Sequence, residues 1–326
     1  MKQNINHLIE LFKKYEGYIH DDLYIKSSQE KGIGIFCKKK INHKQILIKV
    51  PINLTINQQD FHGFIKSKRI NYPYIDFLKI YLNTLPNNSF YLENHPCYMD
   101  NIEKNLIIKV VEKNQFLKDI LIYFFKNSET LDTDEKFTFV TFLTRSIKNK
   151  KDENILMPVL DLVNYDYYGL NFEVNDDFLS IKNNKSTKND NEICCRYTAD
   201  ICPLEFFMTY GFIPKDYISF KIPKNFIFSQ NSNIINTQYL KNADRQYFNE
   251  DLIFKENKKP KNIGGLFKMI SKENFSRLLN HYEESINENL INRILEEKKY
   301  SKILHNLCET MKLYIENIRS YKLLFY

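Results

Sequence analysis

Two regions of strand-like sequence are separated in this chain by a long region of helical sequence, and this order limits the folds open to it. Short apolar runs bounded by polar turns are typical of strands. They lie at 23–25, 34–37, 46–50, 156–163, 171–174, 178–181 and 192–197. Residues 64–151 instead carry apolar stripes at helical spacing. We therefore expect an α+β fold in which a sheet takes strands from both sides of a helical insertion.

The ends of the chain and two connections give further local expectations. Ile5, Leu8, Ile9 and Phe12 form the apolar face of an N-terminal helix, which Gly17 is suited to end. The polar residues between two short strand-like runs predict a hairpin turn at 175–177. Helices are expected at 203–210, where a proline occupies the first turn, and at 274–281, 289–298 and 301–320.

The charge balance disfavours a nucleic-acid-binding protein. The 326 residues include 47 basic and 40 acidic residues, which gives a net charge of +7. Short basic runs lie at 38–40, 148–151 and 255–261, and we expect each to be a solvated loop. A face that attracts an acidic protein or a nucleic acid is the alternative. Because the runs lack interleaved aromatic residues, binding to nucleic acid is the weaker interpretation.

The spacing of the cysteines bears on metal binding, and the hydropathy of the chain bears on membrane contact and cellular location. The six cysteines include no C-x-x-C pair, so the usual spacing of a zinc site is missing and we expect no metal. Residues 1–17 mix charged and apolar residues, unlike a secretory signal. No apolar run approaches the roughly 18 residues that span a membrane. We expect a reduced, soluble, cytoplasmic monomer with no membrane contact, with the nucleus as an alternative location.

Several common catalytic signatures are missing from the sequence. It contains no G-x-S-x-G, no Walker loop and no H-E-x-x-H. The seven histidines are dispersed, and His43 and His95 lie in polar turns, where we expect them at the surface rather than as ligands.

Two segments could present backbone or amide groups to a ligand. Gly32 and Gly34 are separated by one residue at the start of a strand, which allows close approach of a backbone, although such turns are more often purely structural. Residues 158–165 form an apolar run, expected to be a buried strand, that contains Asp161 and Asn164 near its end. Both polar residues could cap a turn, or Asn164 could make paired amide contacts with a ligand.

Aromatic and cationic residues supply two more candidate features. Tyr197 ends a strand-like run, and Tyr210 and Phe212 flank a glycine further on. The phenols could belong to the core or could line a narrow aromatic slot. Arg145 follows an apolar helical stripe, where it could extend its stem along that surface or clamp a carboxylate through two parallel hydrogen bonds.

Taken in this order, these segments resemble the SET-domain protein methyltransferases, and in particular the branch typified by the Rubisco large-subunit lysine methyltransferase. That branch has a G-x-G strand that leads into a basic turn and a strand ending in V-P. After a helical insertion come L-D-x-x-N-H, G-E-x-x-x-x-Y and E-x-x-x-x-Y-G-F. Here these elements read INHKQILIKVP, LDLVNY, NEICCRY and EFFMTYGF. The resemblance covers about residues 20–222 and, more weakly, the tail.

The resemblance implies a fold and a division of the chain. The fold is a β-rich SET core of short sheets with a pseudoknot between the segments of Asn164 and Tyr197, interrupted by a helical insertion and followed by a mostly helical domain. The implied segments are 1–66 for the first part of the core, 67–151 for the insertion, 152–222 for the second part with the active site, and 223–326 for the helical domain that recognises substrate.

The resemblance also implies S-adenosylmethionine as the methyl donor. The donor-binding residues that it implies are Gly32, Ile33, Gly34, Arg145, Asp161, Asn164, Tyr165 and Tyr197. Among these, Arg145 would hold the donor carboxylate, Asn164 would contact the donor through its amides, and Asp161 would support that turn. Tyr165 stands where the family has a histidine that contacts the adenine.

Three aromatic residues match the catalytic end of the family's site. Tyr197 matches the catalytic tyrosine, Tyr210 matches a second tyrosine that lines the target channel, and Phe212 would form a wall of that channel. Two further positions depart from the family pattern: Lys31 stands where glutamate is frequent, and Pro203 stands where asparagine is frequent.

The activity implied is methylation of a lysine side chain in a protein substrate, either a non-histone protein or a histone. Two alternatives stay open: a protein-histidine methyltransferase of the same fold, and a degenerate SET-fold module that only binds proteins. In the tail, one apolar stripe would either pack internally or help to choose the substrate. The stripe consists of Ile303, Leu304, Leu307, Met311, Tyr314 and Ile318.

Overall fold

Residues 2–28, 32–67, 72–184, 189–197, 203–212, 228–230, 233–235, 280–281 and 283–325 are described by the computed structural model of this chain. The chain divides into two units. The first unit comprises Met1–Phe90 and Leu131–Tyr197, and the second comprises Tyr91–Thr130 and Thr198–Tyr326. The four-segment division expected from the sequence stays a prediction.

The helices of the described residues follow the apolar stripes. They are α1 (Lys2–Lys14), α2 (Gln58–Ser67), α3 (Ile75–Leu82), α4 (Asn88–Asn94), α5 (Asn101–Val110), α6 (Gln115–Glu129), α7 (Thr133–Arg145), α8 (Pro203–Tyr210), α9 (Glu288–Glu296) and α10 (Lys302–Phe325). Three short 3-10 turns cover Ile52–Leu54, Pro96–Tyr98 and Leu160–Leu162. Asp132 begins α7 with a capping box, in which its side chain and that of Glu135 each accept the other's backbone N–H.

The strands are short. They are β1 (Tyr18–Ile19), β2 (Leu23–Ser28), β3 (Gly32–Cys37), β4 (Ile46–Pro51), β5 (Ile56–Asn57), β6 (Ser146–Lys148), β7 (Asn154–Leu156), β8 (Asn164–Leu170), β9 (Phe172–Val174), β10 (Phe178–Lys182), β11 (Glu192–Cys195), β12 (Phe228–Gln230) and β13 (Asn233–Ile235). The described residues of the first unit form three sheets, with strand orders β1-β4-β10-β9, β2-β3-β11-β8 and β5-β7-β6. In the second unit, β12 pairs with β13.

Strands from both sides of the helical region pair with one another in the first unit. Leu179 of β10 lies opposite Val50 of β4, and Ile193 of β11 lies opposite Ile35 of β3, both in antiparallel pairs. All four side chains are buried. A sheet completed in this way confirms the expectation of an α+β fold interrupted by helices.

The core of the first unit unites these strands with amphipathic helices. Leu8 and Phe12 of α1 are fully buried, as are Phe61 of α2 and Phe77 of α3. Phe12 and Phe77 stack with ring centroids 6.3 Å apart. Each such side chain contributes roughly 1.5–3 kcal/mol when it leaves water, and this burial stabilises helices whose own propensity is modest.

The segments of β8 and β11 cross at very close range. These two strands are parallel: Cys194 pairs with Asn164, but the next residue, Cys195, pairs with Leu170, so the intervening residues bulge away. A Cβ atom on Gly169 would lie 2.6 Å from the carbonyl carbon of Cys195 and 2.7 Å from the oxygen of Cys194. Only glycine leaves room for this crossing, since both neighbours are backbone atoms.

One strand expectation is wrong. The run 156–163 is not a strand beyond Leu156; it continues as a turn and the 3-10 turn Leu160–Leu162. Proline at 158 has no N–H to donate to a sheet, and Val159 has a positive φ of 72°. A continuous apolar run does not by its pattern distinguish a buried strand from a buried turn. The hairpin at 175–177 is confirmed by the pairing of β9 with β10.

The surface position expected for His95 is also wrong. His95 is only 1% exposed, and its ring hydrogen-bonds the backbone of Cys97 and Thr209 in the second unit. His43 is exposed, as expected.

The tail stripe in the second unit is a packing surface. Ile303, Leu304, Leu307, Met311 and Tyr314 are each at most 2% exposed, and α10 packs against α8 and α9. The helix expected at 301–320 is confirmed by α10. Lys31, the basic run 255–261, residues 274–279 and the side chain of Ile318 lie outside what the structure describes. Among the described helices, none is long and apolar enough to cross a membrane.

The crossing at Gly169 predicts a large effect of one added methyl group. We expect Gly169→Ala to lower the free energy of unfolding by roughly 1–3 kcal/mol, because overpacking against two backbone atoms forces strands apart. Urea denaturation measures this. Lys151→Ala, at an exposed loop position, is the control and is expected to stay within about 0.5 kcal/mol of the unmodified protein. Equal stability of the two variants would contradict the close crossing.

Candidate active site

The amide of Asn164 joins three strands of one sheet in the first unit. Asn164 is the first residue of β8, and its Nδ2 donates hydrogen bonds to the carbonyl oxygen of Ile33 in β3 at 3.2 Å and to Oε1 of Glu192 in β11 at 2.7 Å. The second contact is a charge-assisted hydrogen bond, which is stronger than a bond between neutral groups. The amide therefore holds the G-x-G strand against the strand that precedes Tyr197.

Gly34 provides the space for these contacts. A Cβ atom at this position would lie 2.6 Å from Oε1 of Glu192 and 2.9 Å from Nδ2 of Asn164. Any side chain would push both polar groups away from β3. The structure thus brings the predicted residues Ile33 and Gly34 against Asn164, and Gly32 begins the same strand.

Glu192 is a site residue that the sequence reasoning missed. Its carboxylate lies over Gly34 and accepts the amide of Asn164. The sequence did contain a sign of this role, because a glutamate opens the run that ends in Tyr197. The sequence reasoning gave a role only to the tyrosine of that motif.

A buried ion pair lies one turn before Asn164. Arg145 is the last residue of α7, and its Nη1 donates to Oδ2 of Asp161 and to the backbone oxygen of Asp161, both at 3.2 Å. The Arg145 side chain is 21% exposed and that of Asp161 only 1%. Tyr81 of α3 is fully buried and donates its hydroxyl to the same Oδ2 at 2.7 Å. Sequence reasoning missed this contact.

Burial controls the protonation of Asp161. Desolvation raises the pKa of this carboxyl, while the charge of Arg145 and the hydrogen bond from Tyr81 act in the opposite direction. Its Oδ1 atom has no hydrogen-bond partner among the described residues. The carboxylate therefore depends on its two partners to remain charged.

The turn that carries Asp161 is strained. Val159, with φ 72° and ψ −46°, adopts a conformation that branched residues rarely accept. Such a residue costs about 1–3 kcal/mol and persists only where its surroundings hold it. Val159 is fully buried, and the Asp161 N–H donates to the oxygen of Met157 at 3.0 Å. The turn directs Asp161 toward the helices just before Asn164 enters the sheet.

The phenols of Tyr165 and Tyr197 lie together near the C-terminal end of the segment 161–165. The hydroxyl of Tyr197 donates to the carbonyl oxygen of Val163 at 2.6 Å. The rings of Tyr165 and Tyr197 meet edge to face, with centroids 5.4 Å apart and planes at 65°. Tyr165 is 8% exposed. The short segment 161–165 therefore contributes all three of its predicted site residues to one region of the first unit.

Tyr210 and Phe212 belong to the second unit. Tyr210 ends α8, and its ring packs against Phe206 with centroids 4.6 Å apart and against Phe212 at 6.3 Å. Burial raises the pKa of the Tyr210 phenol to about 12, so it is neutral at physiological pH. Phe212 is 44% exposed. Beside it, a groove of about 540 Å³ runs between the end of α8 and α10 and is lined by Phe207, Gly211, Phe212, Asn306, Glu309, Thr310, Lys312, Leu313 and Glu316.

The described residues contain no group of three or more His, Cys, Asp or Glu side chains placed to hold a metal ion. What the first unit offers instead is a cation at Arg145, a carboxylate at Glu192, an amide at Asn164 and two phenols. This set can bind a small zwitterion by charge and border an aromatic ring.

The ion pair gives a test that depends on pH. The phenol of Tyr81 favours the charged form of Asp161, so Tyr81→Phe raises the already elevated pKa of that carboxyl further. A folded-state pKa above the ordinary Asp value of about 3.9 means that stability falls as pH rises from that value through the folded pKa. We expect Tyr81→Phe to cost about 1 kcal/mol below the folded-state pKa of Asp161 and about 2 kcal/mol above it, where the hydrogen bond is to a charged group.

Urea denaturation across this pH range measures the difference. Tyr72→Phe is the matched control, because the buried Tyr72 hydroxyl donates to the uncharged carbonyl of Leu54. Its cost is expected to stay constant below the titration of tyrosine. Parallel pH profiles for the two variants would show that Tyr81 does not support the charge of Asp161.

Comparison with known proteins identifies the fold. No protein-family model and no curated protein matches the chain. Several solved structures, however, match the chain. A SET domain of LSMT bound to lysine and AdoHcy is 12% identical, with a TM-score of 0.51 over 100% of this chain and 91% of that one. The same domain bound to MeLysine and AdoHcy is 14% identical, with a TM-score of 0.52 over 99% and 91%.

A structure of Rubisco LSMT bound to AdoMet is 13% identical, with a TM-score of 0.50 over 99% of this chain and 91% of that one. These matches confirm the resemblance to the Rubisco LSMT-like branch at the level of architecture. The chain has the SET-domain fold.

Proposed function

We propose that this protein transfers a methyl group from S-adenosylmethionine to the side-chain nitrogen of a lysine in a protein substrate. The observation that carries the proposal is the Asn164 amide closed over Gly34 beside Tyr197, within a SET fold. The similar SET-domain structures are bound to AdoMet, AdoHcy or lysine, which supports the same pair of ligands here.

The residues of the first unit fit the donor. It carries a carboxylate, an ammonium group, a sulfonium and an adenine. Arg145 supplies a partly exposed cation for the carboxylate, and the Glu192 carboxylate with the Ile33 carbonyl supplies acceptors for the ammonium. Asn164 lies beside both of these acceptors. The largely buried ring of Tyr165 can stack on a purine. When bound, the donor supplies an electrophilic methyl group on a positively charged sulfur.

The protein's own task is to present a neutral amine in line with that methyl group. A free lysine has a pKa of about 10.4, and apolar aromatic surroundings disfavour its charged form. The ring of Tyr197 contributes to such surroundings. Because the Tyr197 hydroxyl is held by Val163, its oxygen is fixed in place to orient the amine. Alignment of this kind can supply roughly 7–11 kcal/mol of the barrier.

The second unit enters this proposal through Tyr210 and Phe212. The family resemblance assigns them to the channel for the target side chain, and a neutral, half-buried phenol at Tyr210 suits that role. We also propose that the second unit helps to choose the protein substrate. The packed stripe of α10 does not serve this purpose, since those of its side chains that the structure describes are buried.

Direct binding and transfer test the function. We expect calorimetry to show binding of S-adenosylmethionine and of its demethylated product. We expect transfer of labelled methyl groups from the donor to a protein in a cell extract. Fragmentation of the labelled peptide separates methyl-lysine from methyl-histidine and so decides between the two acceptors. A protein that neither binds the donor nor labels any target would be the protein-binding module of the second alternative.

The role of Tyr197 has its own prediction. Tyr197→Phe is expected to lower turnover roughly 100-fold through loss of alignment, while donor affinity stays within about threefold, a change of well under 1 kcal/mol. Steady-state kinetics with calorimetry measures both. Tyr123→Phe, whose ring is exposed, is the control and should leave both unchanged. Loss of donor binding together with turnover would show that Tyr197 serves the donor rather than the amine.

A further inference from the structure

His95 is a buried imidazole in the second unit to which the proposed reaction gives no role. It lies between α4 and the 3-10 turn Pro96–Tyr98 and is 1% exposed. Desolvation lowers the pKa of its ring to about 4, which a hydrogen bond to Thr209 only partly offsets. The ring is therefore neutral at physiological pH.

The two ring nitrogens of His95 have different partners. Nδ1 accepts the backbone N–H of Cys97 at 3.3 Å, and Nε2 lies 3.2 Å from the carbonyl oxygen of Thr209. A neutral imidazole has one donor and one acceptor. Because Nδ1 is the acceptor, Nε2 carries the proton and donates to Thr209. Both ring nitrogens of His95 are therefore hydrogen-bonded, and this arrangement requires the neutral form of the imidazole.

The partner of Nε2 belongs to the last turn of α8. The last four carbonyls of a helix have no partner within it and need one from elsewhere, and His95 supplies one at Thr209. The next residue in the chain is Tyr210. The imidazole therefore holds the backbone directly before this phenol.

The same segment restricts the residue after Tyr210. Gly211 has a positive φ of 75°, and its N–H donates to the oxygen of Phe207 at 2.8 Å. A Cβ atom at Gly211 would lie 3.1 Å from the backbone oxygen of Asn94 and 3.6 Å from the ring of His95. The chain at 94–97 thus contacts the turn on both sides of Tyr210.

We propose that His95 is a positioning residue for the aromatic turn Tyr210–Phe212. The imidazole fixes the Thr209 carbonyl, and this sets the direction in which the Tyr210 and Phe212 rings leave α8. The consequence for catalysis rests on the proposed function, in which these rings line the channel of the target side chain. Because His95 acts on this turn through the Thr209 carbonyl, we expect it to affect recognition of the target and not donor binding.

Two variants separate the hydrogen bond from packing. The amide nitrogen of glutamine reaches the place of the imidazole Nε2, so His95→Gln is expected to keep the bond to Thr209, while His95→Ala loses it. We expect His95→Ala to lower kcat/KM for the target protein roughly tenfold, the equivalent of one buried hydrogen bond. Donor affinity should stay within about twofold, and His95→Gln should recover most of the loss.

Hydrogen–deuterium exchange gives a readout that needs no activity. The peptide that covers α8 and Gly211 is expected to exchange faster in His95→Ala than in the unmodified protein, and at nearly the original rate in His95→Gln. Unchanged exchange in both variants would overturn the proposal, as would equal loss of donor and target affinity. An unmodified protein that binds no donor would refute the proposed function instead, and the exchange result would still decide the role of His95.

Discussion

The amide of Asn164 is the contact on which the site in the first unit depends. One nitrogen donates to a carbonyl of β3 and to a carboxylate of β11, and so links strands that come from opposite sides of the helical region. The bonds run through the space that Gly34 leaves open. Glycine and asparagine therefore form one steric unit, because neither could be changed without moving the other. A satisfied polar network of this kind specifies a single arrangement of its strands.

The helical region of the first unit contributes directly to that arrangement. Arg145 at the end of α7 and Tyr81 in α3 both contact Asp161, three residues before Asn164. A cation in the last turn of a helix is favoured by the helix dipole, and here it also offsets the cost of burying a carboxylate. Losing one partner of such a pair leaves a buried charge without compensation, which is strongly destabilising. The helices thus fix the turn from which the polar site begins.

Sequence reasoning predicted most of the architecture because short apolar runs and helical stripes report directly on burial. The family resemblance pointed to Gly34, Asn164 and Arg145 as site residues. The missed features have a common cause. Tyr81 and His95 each make a hydrogen bond to a partner that is distant in sequence: Asp161 for the phenol and the Thr209 carbonyl for the imidazole. No local pattern reveals such pairs. The turn after Leu156 was missed because a nearly continuous apolar run has no clear period.

The strained turn at Val159 connects the apolar core with the polar site. Its conformation costs about 1–3 kcal/mol, which burial of Val159, Leu160 and Leu162 against the core offsets. The polar groups that follow this turn point in three directions. The Asp161 carboxylate points to the helices, the Asn164 amide to the strands, and the Val163 carbonyl to the Tyr197 hydroxyl. An unstrained strand would alternate its side chains between two faces and could not serve all three directions. The hydrophobic core therefore determines the geometry of the charged groups.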